Sequence, residues 1–131
     1  MGRCGFSLTE MLVVVIIIGI LAAIALPNME RTRERSYRRT AQDLLLTIYS
    51  AERTYFLHNN TYRSLDVTDD WRPIGMDNPN AQPGTQVELT IAAGGPVFTA
   101  TAKRLGGTCD GKIKTIDDHR QFAGDWDACL P

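Results

Sequence analysis

The stretch Gly5-Phe6-Ser7-Leu8-Thr9-Glu10 followed by MLVVVIIIGILAAIALP, residues 5–27, decides how this chain is read. From Met11 to Leu26 no side chain carries a charge or a strong hydrogen-bonding group, and Gly19 is the lone glycine. As a helix rising ~1.5 Å per residue the run reaches about 24 Å, and with Leu8 and Thr9 it approaches the ~30 Å hydrocarbon thickness of a bilayer. The stretch predicts a membrane-crossing helix. A cleaved secretory signal, with ~7–15 apolar residues and small residues at a cut site behind them, fits less well, because here the small residue and the polar interruption come first. Glu10 is the anomaly. An acid costs about 2.5–3.5 kcal/mol at the centre of a span and less toward its end, so an acid at the head of the run points to a function.

Outward from Glu10, the first residues form a short leader, Met1-Gly2-Arg3-Cys4-Gly5, with one basic residue. A leader ending in Gly5, then Phe6, then Glu10 at the mouth of an apolar run, resembles the class III signal sequences of type IV pilins and the related type II secretion pseudopilins. The resemblance covers Gly5 to about Asn28 and is one of layout beyond. It implies that a prepilin peptidase cuts between Gly5 and Phe6 and methylates the new amino terminus at Phe6. It further implies that Glu10 and Phe6 act in assembly, and that the chains form a homopolymer through their N-terminal helices. The partners expected on this basis are the prepilin peptidase, the inner-membrane platform with its assembly machinery, and the membrane itself before assembly. The expected organisation is leader 1–5, transmembrane and filament-core helix 6–27, and amphipathic helix with globular head 28–131. The expected location is the inner membrane, single-pass with the head outside the cytoplasm, and then an extracellular filament.

If Cys4 leaves with the leader, the mature chain keeps Cys109 and Cys129. Two thiols with no histidine in ligand spacing make a poor zinc set, and in a small exported head they predict a disulfide. Basic residues give a conflicting signal on orientation. Only Arg3 precedes the span, whereas Arg31, Arg33, Arg35, Arg38 and Arg39 follow it, and a simple positive-inside count puts the head in the cytoplasm. The paired cysteines and the family leader both place it outside. The arginines themselves read as residues at headgroup level or facing neighbouring subunits.

Past the span the chain predicts an α+β fold. Pro27 costs ~3 kcal/mol in a helix and Gly19 about 1, so the segment between them is the expected place for a bend or for melting in the assembled filament. Tyr37, Ala41, Leu44, Leu45, Ile48, Ala51 and Tyr55 trace one helical stripe, the face on which a head packs. Glu34 and Arg38 stand four apart and predict an exposed ion pair. A turn-rich stretch from His58 to Thr85 is expected to hold a short helix or ordered packing around Tyr62, Leu65, Trp71 and Ile74. Alternating residues 87–91 and 97–103, separated by Gly94-Gly95-Pro96, predict two antiparallel strands, with a third over 112–116 and a short fourth over 122–126. The expected whole is a long helix, membrane-spanning in its first half and amphipathic in its second, packed on a small antiparallel sheet of three to four strands.

The 131 residues carry 14 Lys+Arg against 15 Asp+Glu, so overall charge gives no reason to expect nucleic acid as a partner. His58 and His119 stand in no catalytic or metal motif, and no cofactor, metal site or enzymatic activity is expected. Asp117, Asp118, Asp125 and Asp127 do not fit an EF-hand loop and read as a solvated turn. The leading functional expectation is a type IV pilus subunit, whose filament serves adhesion, twitching motility or DNA uptake. A type II secretion pseudopilin is the alternative, and the Cys109/Cys129 bracket favours the pilin. A bitopic membrane protein with a ligand- or DNA-binding head is the alternative of another class.

Overall fold

The computed structural model describes residues 6–129, so the leader, including Gly5, lies outside the described residues. The chain divides into two compact units, Met1–Arg33 and Glu34–Pro131. Helix α1, Leu8–Asn59, begins in the first and ends in the second. It starts where the Ser7 carbonyl accepts the amides of Glu10 and Met11. It stops at Asn60, which takes the left-handed conformation (φ 57°) suited to the residue after a helix, its amide donating to the Phe56 carbonyl at 2.8 Å. Backbone helicity runs through both Gly19 and Pro27. In the single chain, therefore, the segment between them is not melted; the Ile, Leu and Ala residues that separate them sustain the helix across one missing Cβ and one missing amide donor.

In the second unit, strands β1 (Val87–Gly94), β2 (Val97–Arg104), β3 (Ile113–Asp117) and β4 (Phe122–Gly124) form one antiparallel meander in the order β1-β2-β3-β4. The β1–β2 turn is Gly95-Pro96, with Gly95 at φ 67°, the sign that a tight hairpin turn needs at its first central position. Alternation places Val87, Leu89 and Ile91 of β1, Phe98, Ala100 and Ala102 of β2, and Ile116 of β3 on the buried face. Cross-strand register aligns them, with Leu89 opposite Ala102, Ile91 opposite Ala100, and Ala100 opposite Ile116. The helix from Glu34 onward supplies Ala41, Leu45 and Ile48 to the same core, with Tyr37, Leu44, Ala51 and Tyr55 at its margin, as the stripe predicts.

Tyr62, Leu65, Trp71 and Ile74 are buried, and two 3-10 turns, Arg72–Ile74 and Pro79–Ala81, order the connection between helix and sheet. This connection also closes the outer edge of β1. Leu65 and Ile91 exchange amide bonds at 2.9 and 2.8 Å, and Ser64 Oγ accepts the Ala93 amide at 2.9 Å. Asn80 imitates a strand with its side chain, accepting from the Leu89 amide at 2.7 Å and donating to its carbonyl at 2.9 Å. Such cover prevents an exposed edge from templating aggregation. β4 is shorter than expected, because after Gly124 the chain turns into a 3-10 segment, Trp126–Ala128, that buries Trp126.

The expected exposed pair Glu34–Arg38 does not form. Glu34 is buried and bound to Arg104, while Arg38 donates to the Asp127 carbonyl at 3.0 Å. The helical stripe that carries Ala41 and Ile48 also carries Glu34 toward the sheet, and Arg38 falls to the side of Asp127.

Candidate processing and assembly segment

The amino-terminal unit buries none of its described apolar side chains within the molecule: Phe6 is 67% and Leu8 82% exposed, and Met11 through Ile24 are open on every side. A helix apolar around its whole circumference has no stable exposed state in water and requires lipid or other helices. By length and composition it is able to cross a membrane. Glu10 lies in the first turn, where the unsatisfied amides and the positive end of the helix dipole favour an anion. Ser7 and Glu10 have the spacing of a capping box, a signal the sequence reading did not use. Here the Ser7 hydroxyl bonds instead to the Thr9 hydroxyl at 2.7 Å, leaving the Glu10 side chain exposed.

In the head, Cys109 and Cys129 are joined by a disulfide. The acidic set is engaged rather than merely solvated. Asp117 accepts the amides of His119 and Gln121, Asp125 pairs with Lys112 at 2.8 Å, and both Asp127 oxygens meet Lys114. The Lys112 hydrogen bond holds the Asp125 carboxyl below its usual range. Among the described residues no group of acids, thiols or histidines is placed to hold a metal. His58 bonds its own helix at the Thr54 carbonyl, and His119 sits exposed beside Asp118. Arg31, Arg33, Arg35 and Arg39 are exposed on α1.

Residues 1–26 match the prokaryotic N-terminal methylation motif. Over its amino-terminal helix the chain is similar to type IV pilins and to type II secretion pseudopilins. Relatives come from both branches. The type IV major pilin protein PilA of Myxococcus xanthus is 43% identical over 58 residues, 44% of this chain and 26% of that protein. The type II secretion system core protein G of Pectobacterium carotovorum is 34% identical over 79 residues, 60% of this chain and 49% of the relative. The type IV wide pilus major component PilA4 of Thermus thermophilus is 38% identical over 65 residues, 46% of each chain. The matched segments thus span from about a quarter to about half of these relatives. No solved structure matches the chain.

Proposed function

We propose that the chain is a structural subunit of a type IV pilus, cut between Gly5 and Phe6, methylated at Phe6, and polymerised through its N-terminal helix into a surface filament. The observation that carries this reading is the unpartnered apolar helix with one acid, Glu10, in its first turn, lying in a segment that matches the methylation motif. Before assembly the same helix holds the subunit in the inner membrane, with the disulfide-bonded head outside the cytoplasm. The prepilin peptidase, the inner-membrane platform and the assembly machinery are its partners, and the subunit itself catalyses nothing. Mass spectrometry of sheared surface filaments tests this directly: the chain is expected as an abundant component beginning at N-methylated Phe6.

A second reading, a type II secretion pseudopilin, is favoured by the reach of the matches. Three of those to core protein G extend over 60–62% of this chain, while three others cover 44–49%, like the 44–46% of the two pilins. Deleting the gene separates the two. Loss of surface filaments with normal protein secretion supports the pilus, and loss of secreted enzymes with filaments intact supports the pseudopilin. An uncut leader in the mature protein would overturn both and leave a bitopic membrane protein.

A further inference from the structure

Glu52 lies on α1 with its side chain wholly buried. Its Oε2 accepts the Arg63 amide at 3.0 Å, and its Oε1 has no hydrogen-bond partner among the described residues. An ionised carboxylate so enclosed, with a single hydrogen bond, is costly. Burial pushes the acid's pKa up, against the smaller opposing pull of the Arg63 amide and charge.

The placement of that one hydrogen bond gives the burial a consequence. After Asn60 ends the helix, residues 61–65 run along the outer edge of β1, with the Tyr62 amide on the Gly95 carbonyl and Leu65 paired with Ile91. Arg63, between them, turns its amide the other way, to Glu52. On α1 Arg53 donates to the Tyr62 hydroxyl at 3.0 Å and feels the charge of Asp118, and on the covering segment there is Arg63. The buried sheet face has Arg104 and Lys114, already held by Glu34 and Asp127.

We propose that Glu52 is a proton-operated tether: as the neutral acid it accepts the Arg63 amide and holds residues 61–65 along β1, and on losing its proton it admits water and lets that segment lift. Lifting bares the edge of β1 at Ile91 and Ala93, whose backbone groups then stand free to pair with another strand. The direction follows from linkage. The folded acid holds its proton more tightly than the open form, whose ordinary value is 4.5, so the tether is firm below that value and weakens as pH rises through the raised one.

Hydrogen exchange of the full-length chain in lipid nanodiscs, read on peptic fragments covering residues 60–66 and corrected for intrinsic rates, measures the opening. Protection in the wild type is expected to fall by up to about tenfold per pH unit above the ordinary carboxyl range and then level off. In Glu52→Gln, which keeps an acceptor for Arg63 and never ionises, the corrected profile should be flat. A flat wild-type profile overturns the proposal, and so does an equal slope in Glu52→Gln. The wild-type profile decides by itself should the variant fail to fold.

Discussion

The Glu34 carboxylate and the Arg104 guanidinium meet in a two-pronged pair, Nε to Oε2 at 3.0 Å and Nη2 to Oε1 at 2.8 Å, with 8% and 3% of their side chains exposed. Arg104 also donates to the Gln86 carbonyl and side-chain oxygen at 3.1 Å and lies over the Tyr37 ring, 4.2 Å from its centroid. Each nitrogen of the guanidinium therefore has an acceptor, and one of its faces is covered by an aromatic ring. Glu34→Ala leaves that charge buried without its partner, and the expected loss is about 3–5 kcal/mol of head stability. Replacing both residues together, as Glu34→Leu with Arg104→Met, should cost much less, because a buried pair typically gains little over a well-packed apolar substitute. Urea unfolding of the detergent-solubilised chain reads this through the fluorescence of Trp71 and Trp126, both buried in the head.

Gly107 closes over that pair. A Cβ there would stand 2.8 Å from Glu34 Oε1 and 2.9 Å from Arg104 Nη2, on a backbone at φ +76°. At Gly106 the backbone is similar, φ +73°, but the space is open. Gly106→Ala is thus expected to lose only the ~1–2 kcal/mol of a left-handed non-glycine residue. Gly107→Ala should lose distinctly more in the same unfolding assay. Equal losses would show that the ion pair yields freely to the added methyl group.

These buried charges mark the limit of what the sequence made legible. The apolar run, the amphipathic stripe and the strand alternation were plain, because each is a period written in hydrophobic residues. Glu34 and Glu52 lie on the same helical line as Ala41, Leu45 and Ile48, and Arg104 continues the inward alternation of Phe98, Ala100 and Ala102. The periods already pointed these side chains inward. Reading a charge as a sign of exposure placed Glu34 on the surface, and only the three-dimensional partner, separated by 70 residues, reverses that inference. The early stop of β4 was similarly hidden: Gly124 has φ 118° and sits so close to the Ile113 carbonyl that no Cβ fits, a constraint set by the neighbouring strand.

The disulfide ties the turn after β2 to the end of the described chain, over a separation of 20 residues. Cys129→Ser is expected to lower head stability by ~2–5 kcal/mol, near what the loss of a loop constraint of that size implies. Thiol titration of the unreduced mature protein provides an independent check. Two free thiols would place the head in a reducing compartment and reopen the question of orientation raised by the arginines after the span.

Gly5→Leu tests the leader assignment. A peptidase site shaped around glycine does not accept a branched four-carbon side chain, so the variant should accumulate uncut in the membrane fraction and contribute nothing to filaments. A normal-sized product beginning at Phe6 would refute the assignment.

The final expectation concerns Glu10. With Phe6 as the amino terminus, as proposed, its amine and the Glu10 carboxylate would be one helical turn apart, and in a filament the carboxylate would be neutralised either by that amine or by the amine of a neighbouring copy. In the lone subunit Glu10 is exposed at the end of the apolar run, where water or headgroups satisfy it. Among packed helices it has neither, and removing one member of a buried charge pair costs about 3–5 kcal/mol. Glu10→Ala should then insert and be cut normally, since alanine suits both lipid and helix. It should join filaments poorly, because the incoming helix has lost the charge that sets its register while the Phe6 amines already in the bundle lose their partner. Comparing membrane and sheared fractions by quantitative immunoblotting tests the point: processed protein in the membrane with filament yield sharply reduced is expected, and wild-type filament yield would show that the carboxylate takes no part in assembly.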